Sequence, residues 1–191
     1  MKVIIELEAG YTQALRGLAL SYYKRDRPFD EHFVDVQEKM AKQAGILNRK
    51  AIGEANYAHS KVLRQIHVWM MIDAPRSFWS QFDTYTVGVV RQSASTMHTL
   101  TKQTLSTDDF SEHTTLDTIR SFIELHDKTK DINVLRDNLP EGFMQMRMVT
   151  FNYASLQNVL MQRAKHRYGA WESFATQVKQ QLEHPELIVW D

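Results

Sequence analysis

Two stretches of this sequence carry the side chains that could do chemistry. The first is "FDTYTVGVVRQSAST", Phe82 to Thr96, which has hydroxyls at Thr84, Tyr85, Thr86, Ser93, Ser95 and Thr96 around Gly88 and a single positive charge, Arg91. Hydroxyls both donate and accept hydrogen bonds, so such a stretch can hold a sugar or a phosphate, and it can equally be a solvated turn. The second is "NYASLQNVLMQR", where Leu156, Val159 and Leu160 make an inward stripe at helical spacing and Arg163 lies on its continuation. A guanidinium aimed at a core needs water or an anion; the alternative is a stem laid along apolar surface with its head in water. Asn152, just ahead of this run, has the side chain of a helix N-cap.

The familiar catalytic signatures are absent. There is no P-loop, no GxGxxG, no GxSxG and no HExxH, and none of the eight histidines stands at metal-ligand spacing from another. Without cysteine, disulfides, thiolate metal sites and cysteine nucleophiles are excluded. Twenty-three basic residues balance 23 acidic ones, which argues against broad attraction to nucleic acid or anionic membrane; an anion would be held locally. No stretch approaches the roughly 18 consecutive apolar residues of a membrane span. The start "MKVIIELEAG" has too short an apolar run and too early an acid for a secretory signal, so the expected location is cytoplasmic.

The elements that must position these residues follow from hydrophobic periodicity. At 191 residues and 43% hydrophobic, the chain can fill one core, and no repeat or linker divides it, so residues 1–191 read as one domain. "KVIIELE" reads as a first strand, and "YTQALRGLALSYYK" and "DEHFVDVQEKMAKQAG" as amphipathic helices. Ile66–Ile72, apolar on both alternating faces, reads as a core strand covered on two sides, ended by Asp73 and Pro75 before a short helix with Phe78, Trp79 and Phe82. One helix is predicted from Thr115 to about Leu135, a second core strand over Phe143–Phe151, and helices over 153–167 and 171–184. The fold class is a helix-rich α/β (α+β) domain with a small central sheet flanked by helices.

Leu139 to Arg163, "LPEGFMQMRMVTFNYASLQNVLMQR", resembles the signature block of the flavin-dependent thymidylate synthases. The shared features are a Leu-Pro (Leu139, Pro140), a strand ending in Thr-x-Asn (Thr150, Asn152), then Ser-Leu (Ser155, Leu156) and a closing Leu-x-x-Arg (Leu160, Arg163). Trp171 falls near the family's tryptophan in the final helix. Ile66 to Met97 resembles a second block, with its core strand, Ala74-Pro75 and Gln81, and its "FDTY…STMH" is similar to short forms found in bacteriophage genomes. At the family's defining Arg-His-Arg motif and the serines and arginine that follow it, this sequence has Thr84, Tyr85, Thr86, Val89, Ala94 and Thr96. The resemblance implies that the arginine clamp on the dUMP phosphate is lost, each charge-assisted hydrogen bond being worth about 1.5–3 kcal/mol. A further family arginine falls at Met146; strand alternation sends its neighbour Arg147 to the opposite face. Of the family's nucleotide-contacting set Gln81 and Arg163 remain, and Asn152 remains from the flavin side.

Three functions are compatible with this pattern. In the first, the chain binds a nucleotide or nucleotide-derived metabolite in a cleft between subunits without the family reaction, sequestering it from a host enzyme. The ligand would meet Gln81, Thr84, Tyr85, Thr86, Arg91, Ser93, Ser95, Thr96, Asn152 and Arg163, with no metal and no stoichiometric flavin. In the second it is an active synthase using FAD and methylenetetrahydrofolate to methylate dUMP, with Arg76, Arg91 or Lys102 supplying the missing charge. In the third it is a protein-interaction scaffold whose pocket is filled by its own Met144, Met146 and Met148. The resemblance also implies a homo-oligomer, a tetramer.

Overall fold

The computed structural model describes residues 1–53, 60–163 and 165–189. Four strands, β1 (Lys2–Ala9), β2 (His67–Pro75), β3 (Val89–Ser93) and β4 (Met144–Asn152), form one sheet in the order β1-β2-β4-β3, with every neighbour antiparallel. Among the described residues nine α-helices connect and cover them: α1 (Tyr11–Ala19), α2 (Phe29–Gly53), α3 (Lys61–Gln65), α4 (Arg76–Phe82), α5 (Thr96–Thr99), α6 (Leu116–Lys128), α7 (Ile132–Asp137), α8 (Tyr153–Arg163) and α9 (Gly169–Gln181). The predicted helix-rich class with a small sheet is the observed one.

Alternation decides how the sheet is packed. Val3 of β1, Val68, Met70 and Ile72 of β2, and Val149 and Phe151 of β4 point to one face and are buried there. Against them lie Leu15 of α1, Met40 of α2, Phe78, Trp79 and Phe82 of α4, Leu156 and Leu160 of α8, and Trp171 and Phe174 of α9. The expectation that β2 is covered on both sides is corrected. Its other face, with Trp69 and Met71, is only partly buried, because the helices of the larger core, α1 to α4, α8 and α9, pack on the opposite face. A second, smaller core of Leu100, Leu105, Phe110, Ile119, Phe122, Leu135, Leu139 and Phe143 is built by the segment between β3 and β4.

Local chemistry explains where the boundaries depart from the periodic reading. The single helix expected from Thr115 to Leu135 is two helices, because Asp131 accepts the Asn133 backbone N–H at 2.9 Å and caps α7 as a new start. β2 runs on through Pro75, its last residue, which stands opposite Met144 of β4. Residues 89–93, expected as loop, form the edge strand β3 in register Val89↔Phe151 to Ser93↔Arg147. An edge strand of five residues with one buried side chain carries too little alternation to stand out.

Candidate functional site

Gln81, Tyr85 and Arg163, separated in sequence, meet at one end of the larger core. α4 ends on a turn that presents Gln81, whose Oε1 accepts the Nε1–H of the buried Trp171 at 2.8 Å. Arg163, the last residue of α8, donates from Nε to the Tyr85 hydroxyl at 2.7 Å, and that hydroxyl donates to Gln162 Oε1 at 3.1 Å. The guanidinium carbon sits 5.3 Å from the Trp171 ring centroid and 5.7 Å from that of Tyr85, within cation–π range of both. These residues therefore hold one another, and the charge of Arg163 rests on aromatic faces.

The loop between α4 and β3 is tied down by its acidic residue. Asp83 Oδ1 stands 2.8 Å from Arg147 Nη1 and 3.4 Å from Arg91 Nε, while Arg91 Nη1 donates to the Tyr85 carbonyl at 2.6 Å. Arg91 is thus a brace for the loop. Thr84 donates from its hydroxyl to the Gln81 carbonyl at 2.8 Å, closing the turn. Gly88, with φ of 68°, takes a conformation that a side chain would strain, and a Cβ there would lie 2.3 Å from Ser155 Oγ.

Under this loop runs a groove made of two adjoining cavities. One, of about 230 Å³, is lined by Thr84, Tyr85, Thr86, Ser155 and Gln162; the other, of about 460 Å³, by Ser60, Arg64, Gly88, Asn152 and Ser155, and both reach Val87 and Asn158. Asn152 Oδ1 accepts the Ser155 N–H at 2.9 Å, the N-cap its position in the sequence predicts. Ser93 closes β3, and Ser95 precedes α5 with its carbonyl accepting from Thr99 Oγ1 at 2.8 Å.

A third place, which the sequence reading missed, is strongly basic. A cavity of about 490 Å³ is lined by Arg76, Arg136 and Arg147, together with Thr96, Asn133, Asp137, Leu139 and Gln145. Arg147 stacks on Trp79 at 4.3 Å and donates from Nε and Nη2 to Gln145 Oε1 at 3.2 and 2.9 Å. Arg76, at the start of α4, donates to the Leu139 carbonyl at 3.1 Å and lies 3.4 Å from Glu141. Arg136 donates to Met97 Sδ at 2.9 Å and has no carboxylate partner among the described residues. The alternation that sends Arg147 away from Met146 was legible, and this cavity is where it leads. Arg136 was passed over because the predicted helix ended at Leu135. Thr96 alone of the expected hydroxyl residues lines this cavity.

No group of three metal-ligating side chains occurs among the described residues. No described helix is long and apolar enough to cross a membrane. Met146, expected as pocket filling on the scaffold reading, is 47% exposed on the opposite sheet face.

No protein-family model matches this sequence, and no curated protein matches it. Solved structures do. The chain is similar to the flavin-dependent thymidylate synthase ThyX of Helicobacter pylori complexed with FAD and dUMP, with a TM-score of 0.73 at 17% identity over 98% of each chain. A second structure of that organism's Thymidylate Synthase X, also with FAD and dUMP, gives a TM-score of 0.71 at 16% identity over 98% of this chain and 97% of the other. The fold is that of the flavin-dependent thymidylate synthases over essentially its whole length.

Proposed function

We propose that this chain, built on the flavin-dependent thymidylate synthase fold, binds a nucleotide or nucleotide-derived metabolite by its phosphate and holds it without carrying out the synthase reaction. The observation that carries the proposal is the cavity of about 490 Å³ with Arg76, Arg136 and Arg147 on its walls. Planar guanidinium forks match phosphate oxygens two at a time, and Arg136 brings a charge that no described carboxylate neutralises. Thr96, Asn133 and Gln145 add neutral hydrogen-bonding groups around it. The phosphate charge that Thr84, Tyr85 and Thr86 do not supply is thus met from other positions.

The groove under the loop is a poor match for FAD within one subunit. FAD carries a pyrophosphate, and among the described residues Arg64 is the one cation that lines the two cavities. Thr84, Tyr85 and Thr86 bring hydroxyls and no charge to the same groove. Binding without turnover makes the chain a holder of its nucleotide.

Calorimetric titration and thermal melts with dUMP, other nucleoside monophosphates, the corresponding nucleosides and inorganic phosphate test this. The expected result is stabilisation by at least one monophosphate and none by its nucleoside. Arg136→Ala is expected to lower that affinity by tenfold or more, about 1.4 kcal/mol, with folding intact. Equal responses to nucleoside and nucleotide, or none to any of them, reject the proposal. A yellow protein carrying one flavin per subunit would favour the active synthase instead.

A further inference from the structure

The arginine cavity has one lining residue for which a phosphate does not account. Asp137 sets a carboxylate among three guanidinium groups, and toward an anion alone that carboxylate is repulsive. It neutralises none of them. Arg76 lies beside Glu141, Arg147 beside Asp83 and Arg136 on Met97 Sδ, whereas the Asp137 carboxylate has no partner among the described residues. Its own helix disfavours it too. Asp137 is the last residue of α7, where the free carbonyls carry partial negative charge. Asn133 stands four residues earlier, so the two side chains are neighbours on one helix face, and both line the cavity. The backbone N–H of Asn133 goes to Asp131, and its side-chain amide has no partner among the described residues.

We propose, resting on the nucleotide reading above, that the molecule held in this cavity is a guanine nucleotide whose base is read by Asp137. An ionised carboxylate only accepts hydrogen bonds, through two oxygens side by side. Guanine alone of the common bases answers with two adjacent donors, N1–H and the N2 amino group, on its Watson–Crick edge. Uracil and thymine set a single N–H between two carbonyl oxygens, while cytosine and adenine set an amino group beside a ring nitrogen that accepts. Each of these turns a lone pair toward the carboxylate, which costs binding. Asn133 is less selective, because its amide serves guanine O6 and N7 or adenine N6 and N7. The carboxylate therefore carries the choice. Charge agrees with this occupant: three guanidinium groups and one carboxylate leave the lining with a net two positive charges, the complement of a monophosphate dianion. So does size, since about 490 Å³ lies within the roughly 300–1,000 Å³ of pockets that hold one small ligand.

Calorimetry at fixed salt with the monophosphates of guanosine, inosine, adenosine, cytidine, deoxyuridine and xanthosine reads the choice on the wild-type chain. Guanosine monophosphate is expected to bind tightest. Inosine monophosphate, which lacks only the N2 amino group, is expected to bind roughly tenfold more weakly, and the other four roughly a hundredfold, the discrimination of one bidentate pair. Asp137→Asn replaces one acceptor with a donor, the pattern that xanthine's N1–H and O2 match. It is expected to lower the affinity for guanosine monophosphate about tenfold or more and to make xanthosine monophosphate the tighter ligand. Asp137 is exposed, so the melting temperature without ligand is expected to stay the same. Should the variant not fold, the inosine and adenosine arms on the wild type decide alone. Equal affinity for all six, a preference for adenosine, cytidine or deoxyuridine monophosphate, or a variant that keeps the guanine preference overturns the assignment of the base and leaves phosphate holding intact. No response to any monophosphate rejects the nucleotide reading itself, and the base with it.

Discussion

Arg163 closes α8 with its Nε on the Tyr85 hydroxyl and its guanidinium beside the rings of Tyr85 and Trp171. The stripe of Leu156, Val159 and Leu160 pointed that arginine inward, and the structure supplies the partner that periodicity cannot name: a phenol from a loop 78 residues away in sequence. Its charge is therefore spent partly on the fold. Removing it costs one hydrogen bond to a charged group and two cation–π contacts, so Arg163→Ala is expected to lower stability by about 1–3 kcal/mol in chemical denaturation. Arg163→Lys keeps a charge near the rings but loses the Nε donor, and is expected to recover about half of that. If the two variants are equally stable, the packing of the stem matters and the charge does not. Gln81 has a similar double standing, since its Oε1 is the acceptor for the buried indole of Trp171.

Among the elements, the strands inside the sheet and the long helices were legible, because eight or more residues of one period outweigh local exceptions. β3 was not, and neither was the break between α6 and α7, where a single aspartate starts a new helix. The turn before β3 depends on Gly88, and Gly88→Ala combines a disfavoured φ of 68° with a contact at 2.3 Å to Ser155 Oγ. It is expected to cost about 1–3 kcal/mol and to lower the melting temperature by several degrees. An unchanged melting temperature would mean that the loop simply relaxes. On β2, burial pushes the Asp73 carboxyl above its ordinary value of 3.8, with Asp109 adding to the effect and the amino terminus and Lys2 opposing it. The folded chain then holds this proton more tightly than the unfolded one, so stability falls as pH rises from 3.8 through the raised value. Asp73→Asn is expected to melt higher than the wild type at neutral pH, with the difference vanishing below pH 3.8; a variant that melts lower at neutral pH contradicts this.

For the whole molecule, the site was less legible than the fold. Its three basic residues come from α4, α7 and β4, and no local pattern joins Arg76, Arg136 and Arg147. Only the packing of two cores does so. Arg76 and Arg147 stand on elements of the larger core, while Arg136 and Asn133 stand on α7, which belongs to the smaller. A core of eight buried side chains is expected to open at lower free energy than the rest, so amides of α6 and α7 should exchange with deuterium faster than those of α8 and α9. On the proposed reading, a nucleotide at one hundred times its dissociation constant adds about 2.7 kcal/mol to that opening, roughly a hundredfold slowing confined to the smaller core. Slowing spread evenly over both cores, or none, contradicts it. The chain has no cysteine for a disulfide, and the described residues hold no metal-ligating cluster, with which to clip one core to the other. On the proposed reading, a dianion gripped from both sides is a removable cross-link, and the metabolite level in the surrounding solution sets how firmly the domain is stapled together.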